Sequence, residues 1–403
     1  MNNSKVLLIL FFTVFIDIIG LGIIIPLLPF YAEYFGASPA IITLLFSCFS
    51  LMQFLFSPFW GVMSDRLGRK PIILVSMAGS CLAYLWCGLA TSLWMLFASR
   101  LLAGLMGGTV VTAQAYIVDI TTIENRAKGM GTIGASFGLG FTLGPAIGGF
   151  LAGVNTDSVN YQLPLLVASG LSLAGLIFAY FILPQSQPNL SEKSTRIVSA
   201  SKRLVGLAET LKRPIINILI GIFFLVGIGL LGAQTTLALW LEARFNWGPQ
   251  QTGYILMFCG VLATIFQGGL IGLFNKKFGE VNLLMSGLII LGTGLFLVPF
   301  SRNVILLLGA MSCLTIGECL ASTASRSIVS QLGEPDETGK MLGVMQSSFS
   351  LGTIVGPGFA GFIFVTMGKD FPFFNGALLT LIATIACLSA VPKMRSQLAS
   401  RSR

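Results

Sequence analysis

Apolar residues along this chain come in long unbroken runs, and the polar positions between them are short. Twelve runs stand out: 5–30, 40–62, 71–90, 94–117, 130–153, 161–183, 215–240, 250–273, 281–300, 304–328, 340–366 and 371–392. A helix needs about 20 apolar residues, each rising about 1.5 Å, to cross roughly 30 Å of hydrocarbon. Backbone amides left unpaired in lipid cost several kcal/mol, so each run predicts a membrane-spanning helix. A membrane barrel would show short alternating segments instead.

One interruption is long. Residues 184–214, PQSQPNLSEKSTRIVSASKRLVGLAETLKRP, read as a cytoplasmic linker with an amphipathic helix from Ser199 to Leu211 against the inner leaflet. Six runs precede it and six follow, which predicts a first bundle over 1–183 and a second over 215–403 that ends in a short cytoplasmic tail. The halves also repeat. A shift of 212 brings Ser136, Gly140, Gly144 and Pro145 onto Ser348, Gly352, Gly356 and Pro357, and a shift of 211 lays GLFNKKFGE over GVMSDRLGR. Internal repeats of this kind are a common building principle of transporters.

Composition agrees with a membrane protein: 55% of residues are hydrophobic and the mean hydropathy is +0.88, against roughly 45–50% apolar content in soluble domains. The net charge of +9 orients the chain. With alternate loops on opposite sides, all of the 24 Lys and Arg except Arg100, Arg244, Arg302 and Lys369 fall on one side. That side is the cytoplasm by the positive-inside rule, and both termini lie there. The first run is too long for a signal peptide and no small-residue cleavage site follows it, so it is expected to stay as a helix. The seven cysteines lie within apolar runs and read as core packing. No metal site is expected.

Four motifs carry a family resemblance. GVMSDRLGRKP, SRLLAGLMGG, GLGFTLGPAIGG and DIIGLGIIIPLLP together resemble the signatures of the major facilitator superfamily, in its twelve-helix drug:proton antiporter branch, which includes bacterial tetracycline and multidrug exporters. The likeness runs over the whole chain. It implies an all-α polytopic membrane protein with twelve transmembrane helices in two pseudo-symmetric six-helix bundles, the major facilitator fold. It also implies protons as coupling ion, no other cofactor, a small-molecule substrate, a lipid surround, a bacterial inner membrane and a monomer.

Each motif has a physical reading. Gly61 and Gly68 permit a tight turn, and Arg66, Arg69 and Lys70 orient the loop. Asp65 is placed to face the positive amino-terminal end of another helix, in the family the eleventh, here starting near Gly339, so the cluster resembles a cytoplasmic latch. Gly140, Gly144 and Gly148 recur every four residues, beside Pro145 and Gly149, and make a smooth face for close helix approach; in exporters that face is associated with sealing the outer side. Asp17 sits about 18 Å along the first run, where a charge costs roughly 2.5–3.5 kcal/mol, which makes it a proton-carrier candidate. Glu318 is a second acid at similar depth, either a proton site or the holder of a private hydrogen bond. Arg100 lies roughly 9 Å in from the outer end of its run; the resemblance puts it near a cavity, where it could steady a facing carboxylate or bind an anionic group, and snorkelling is the alternative. Gln53, Gln114, Gln234, Gln267 and Gln346 offer neutral polar groups for a cavity lining.

The reading that joins these features is a proton-coupled exporter of a small amphipathic or aromatic compound. Export of an endogenous metabolite and a non-transporting sensor are the alternatives. The chain has no histidine, so a mechanism that needs a titrating imidazole is excluded, and no Walker loop or paired Cys/His set suggests an enzyme.

Overall fold

The computed structural model describes residues 3–153, 159–185, 214–332 and 335–401. The linker helix expected over Ser199–Leu211 lies outside the described residues. Among them there are 12 helical spans long and apolar enough to cross a membrane, and each of the twelve predicted runs is matched by one of these. The protein is all-α, with the twelve spans arranged as two pseudo-symmetric sets of six.

Tertiary contacts form two compact units. Met1–Ser194 with Leu237–Thr264 make the first, and Thr195–Thr236 with Ile265–Arg403 make the second. In the first unit lie α1 (Asn3–Ile24), α2 (Leu28–Tyr34), α3 (Pro39–Leu67), α4 (Arg69–Gly88), α5 (Leu93–Leu105), α6 (Thr109–Ile120), α7 (Ile123–Ala152) and α8 (Gln162–Ile182). It also takes the end of α9 (Pro214–Phe245) and nearly all of α10 (Pro249–Ile265). Its core gathers Leu10, Val14 and Ile18 of α1, Ile73 and Met77 of α4, Tyr116 and Ile117 of α6, and Ala179 of α8. The i, i+4 spacing on α1 keeps these side chains on one helix face.

The second unit holds the start of α9, a π-helical turn at Phe266–Leu270, α11 (Ile271–Phe278), α12 (Glu280–Leu297), α13 (Val304–Leu332), α14 (Pro335–Thr366) and α15 (Phe371–Arg401). Ile216, Leu219, Leu284, Leu288, Ile328 and Cys387 sit in its core. Glycines let α12 and α13 touch: a Cβ on Gly294 would stand 2.8 Å from Leu314 Cα, and one on Gly317 would stand 2.6 Å from Leu291 Cα.

Four predicted runs are not single α-helices, the run 281–300 passing from α12 into a 3-10 turn at Val298–Phe300. The run 5–30 ends as α1 at Ile24, because Pro26 and Pro29 lack the amides that continuation would use, and α2 begins afresh. The run 94–117 is cut at Met106–Gly108 into α5 and α6. Gly107 and Gly108 have poor helix propensity, and packing demands their smallness: a Cβ on Gly108 would stand 2.6 Å from Ser76 Oγ and 2.8 Å from Trp60 Cγ. Trp60 Nε1 donates to the Leu105 carbonyl that the break leaves open, at 2.6 Å. The run 250–273 is interrupted by the π-turn. Helix α14 starts at Pro335, four residues before the expected Gly339.

Candidate functional site

The break between α5 and α6 puts a helix amino terminus inside the first unit at membrane depth. The first amides of a helix have no intrahelical partners and carry the positive end of its dipole. Thr109, the first residue of α6, has its hydroxyl turned to the Asp17 carboxyl along with that of Ser80, without Thr109 Oγ1 completing a hydrogen bond. Asp17 lies among packed helices and is partly accessible. A carboxylate in that position has the α6 terminus and two hydroxyls to favour its charge, while loss of water disfavours it.

Arg100 does not snorkel. It is 2% exposed, and its guanidinium carbon lies 6.0 Å from the centre of the Tyr84 ring. That ring also meets α1, since a Cβ on Gly20 would be 2.8 Å from Tyr84 Cε2. Tyr84 thus stands between Arg100 and the helix that carries Asp17. Arg100 Nε and Nη2 have no hydrogen-bond partner among the described residues, and neither do the buried hydroxyls of Ser76, Thr109, Thr112 and Ser172. Unsatisfied polar groups of this kind are rare in folded interiors and concentrate where function or movement needs them. Gln53 adjoins the same break, with Nε2 3.2 Å from the Cβ position of Gly107.

A second cluster closes the end of the unit where the basic residues gather. Arg69 Nη1 pairs with Asp65 Oδ1 at 2.5 Å and Arg69 Nε with Asp119 Oδ2 at 2.7 Å, and Nη1 also donates to Ser64 Oγ at 2.7 Å. Lys70 Nζ donates to the Tyr180 carbonyl at 2.7 Å, while Arg66 is exposed. Gly68, with φ 93°, makes the turn. Gly61 does not, which corrects the expectation: α3 runs through it to Leu67, and a Cβ there would meet nothing within 4 Å.

The glycine motif of α7 works on two sides. Cβ atoms on Gly140 and Gly144 would come within 2.6 Å of Ile18 Cγ2 and 2.8 Å of Gly22 Cα, and one on Gly148 within 2.8 Å of Ile23 Cα, all in α1. Gly149 meets α10 instead, 2.6 Å from the Pro249 carbonyl oxygen. Pro145 Cδ fills the space against Gly22.

The structure thus joins Asp17, Arg100 and Gln53 around one helix break. Glu318 lies in the second unit and is not part of that group. Gln114, Gln234 and Gln346 are exposed on their spans, and Gln267 Nε2 reaches Cys319 Sγ at 3.4 Å. Sequence reading missed Ser80, Tyr84, Thr109 and Asp119. The Gly107-Gly108 pair was the available sign of the break, and Asp119 stood in view as the only acid between Leu93 and Ile120.

The Major Facilitator Superfamily family model matches residues 10–279 and 245–402. The tetracycline resistance protein, class B, of Escherichia coli is 31% identical over 361 residues, covering 89% of this chain and 87% of that protein. Multidrug resistance protein 2 of Bacillus subtilis (strain 168) is 28% identical over 386 residues and 94% of each chain. Among solved structures, the human organic anion transporter MFSD10 (TETRAN) superposes with a TM-score of 0.69 at 22% identity, over 96% of this chain and 100% of that one; at that identity the likeness is one of fold.

Proposed function

The chain belongs to the major facilitator superfamily, a multi-pass membrane protein, and from that premise we propose that it exports a small amphipathic or aromatic drug-like compound in exchange for protons. The relatives named above are resistance proteins, which favours drug efflux over export of an endogenous metabolite or a sensing role. We place it in a bacterial inner membrane, as a monomer with both termini on the cytoplasmic, basic side.

The observation that carries the reading is Asp17 beside the internal amino terminus of α6. Proton exchange there needs two states of similar cost. Desolvation opposes the carboxylate, and the α6 dipole with Ser80 and Thr109 supports it. Substrate release and proton uptake would alternate as access to the site switches sides. One inward charge supplies about 2.3 kcal/mol per 100 mV, enough for modest accumulation against a gradient.

Replacement Asp17→Asn keeps the shape and removes the proton. In proteoliposomes with an imposed pH gradient, uphill drug movement should vanish while downhill exchange persists. Uphill movement at the wild-type rate would overturn the assignment.

A further inference from the structure

Between Asp17 and the Arg69 corner, α4 and α6 run side by side in opposite directions and are tied at both ends. At one end Ser80 and Thr109 turn their hydroxyls to the Asp17 carboxyl; at the other, Arg69 Nε donates to Asp119 Oδ2 at 2.7 Å. The stretches between the ties match, since 69–80 and 109–119 each cover roughly 15–16 Å at about 1.5 Å per residue. That register sets Ser76 opposite Thr112, one turn from Asp17, and Ile73 opposite Tyr116 a further turn on. Contacts agree with it. A Cβ on Gly108 would stand 2.6 Å from Ser76 Oγ, so this hydroxyl lies against the start of α6. Thr112 follows Gly108 by four residues and Thr109 by three, which puts it on the helix face those two present to α4 and Asp17.

Ser76, Thr109 and Thr112 are 0%, 1% and 0% exposed, and none of their hydroxyls has a hydrogen-bond partner among the described residues. Buried hydroxyls left unpaired cost stability. Three in one layer, too far apart to bond one another, are the partner set of an internal water, which takes two to four polar neighbours. The other polar groups at this level are committed: Trp60 Nε1 donates to the Leu105 carbonyl at 2.6 Å, and Tyr116 Oη to the Pro184 carbonyl at 2.9 Å. Charge stands only at the ends, Asp17 and Arg100 with Tyr84 at one and Arg69 with Asp119 at the other, because neither helix carries a charged residue at 71–80 or 109–118.

We propose that Ser76, Thr109 and Thr112 hold an internal water that relays the Asp17 proton along the seam of α4 and α6 toward the Arg69 end. The carboxyl O–H passes its proton to the water oxygen, the water passes one of its own to the Thr112 or Ser76 oxygen, and that hydroxyl releases its original proton as Ile73 and Tyr116 part. Each member gains one proton and loses one, so a single proton crosses the layer. The relay rests on the exporter reading for its purpose. Its test needs no transport.

In infrared spectra of the detergent-solubilised full-length protein at acidic pH, the protonated Asp17 carboxyl has a band identified by its loss in Asp17→Asn. Transfer to heavy water shifts that band at the rate at which the Asp17 proton leaves. Ser76→Ala with Thr112→Val should make the shift at least about tenfold slower, whereas Ser76→Thr with Thr112→Ser, which keeps both hydroxyls, should stay close to the unaltered rate. Should the first pair fail to fold, Thr112→Val alone, which preserves the side-chain shape, should already slow the shift. A packing role has the opposite sign, since a loosened seam exchanges faster. An equal or faster shift without the hydroxyls, or equal slowing when they are kept, would overturn the relay. Absence of the protonated band would overturn relay and exporter reading together; failure of the exporter reading alone would leave the order of exchange rates intact, with no uphill drug movement by the unaltered protein.

Discussion

The two halves build the same corner from opposite charges. In the first, Arg69 is held by Ser64 and Asp119; in the second, at offsets of 211, 211 and 212, Glu280 is held by Asn275 and Gln331. The long bond keeps its length across the repeat, 2.7 Å from Arg69 to Asp119 and 2.6 Å from Gln331 to Glu280. Donor and acceptor have traded places. The repeat therefore preserves a geometry, a tether between the end of one span and the start of another, and leaves the sign of the central charge free. What differs is sensitivity. The first corner is an ion-pair network, with Asp65 47% exposed, and salt will screen it; the second is one acid among neutral donors and will respond less.

The largest effect should come from reversing the first corner alone. Arg69→Glu would set three acids together, and it should reduce both thermal stability and transport more than Arg69→Ala, which removes charge-assisted bonds worth about 1.5–3 kcal/mol each. The double change Arg69→Glu with Asp119→Gln copies the second half's chemistry into the first. If geometry is what the repeat preserves, the double variant should recover much of the melting temperature lost in the single one. Equal damage in both, measured by scanning fluorimetry in low and high salt, would mean the first corner's charges have a task beyond tethering.

A smaller effect tests the glycine faces. Gly144→Ala pushes a methyl to 2.8 Å from Gly22 Cα, and Gly356→Ala pushes one to 2.9 Å from Ile228 Cα. Both obstacles are backbone, which cannot swing aside, so each should cost about 1–3 kcal/mol by overpacking. Matching losses in melting temperature support equivalent roles for α7 and α14. A loss confined to Gly144→Ala would assign close approach to the first half alone.

Much of this was legible in the residues. Hydrophobic run length was enough for the twelve spans, because lipid leaves the backbone few alternatives, and small residues in register revealed the repeat. The breaks were less visible. Apolar content stays high through Met106–Gly108 and Phe266–Leu270, so hydropathy passes over both, and only the glycine pairs Gly107-Gly108 and Gly268-Gly269 mark them. The Asp17 site was half read: its depth followed from counting, but Ser80 and Thr109 come from two other helices and have no sequence spacing to announce them. Asp65 offers a further lesson. The family resemblance gave it a helix terminus to face, and the structure adds an ion pair one turn away, at Arg69.

The smallest expected effect is also the most exacting test of the symmetry. Ser136 Oγ donates to the Phe11 carbonyl at 3.0 Å, and Ser348 Oγ to the Ile220 carbonyl at the same 3.0 Å. Such interhelical bonds average about 0.6 kcal/mol in membranes, since the carbonyl already serves its own helix. Burial separates the two, Ser136 being 0% exposed and Ser348 partly accessible, and water can replace a lost bond only where it can reach. Ser136→Ala should therefore lower the melting temperature more than Ser348→Ala, both by small amounts. The opposite order would show that access to water does not set the worth of these bonds, and that matching distances in the two halves conceal different packing.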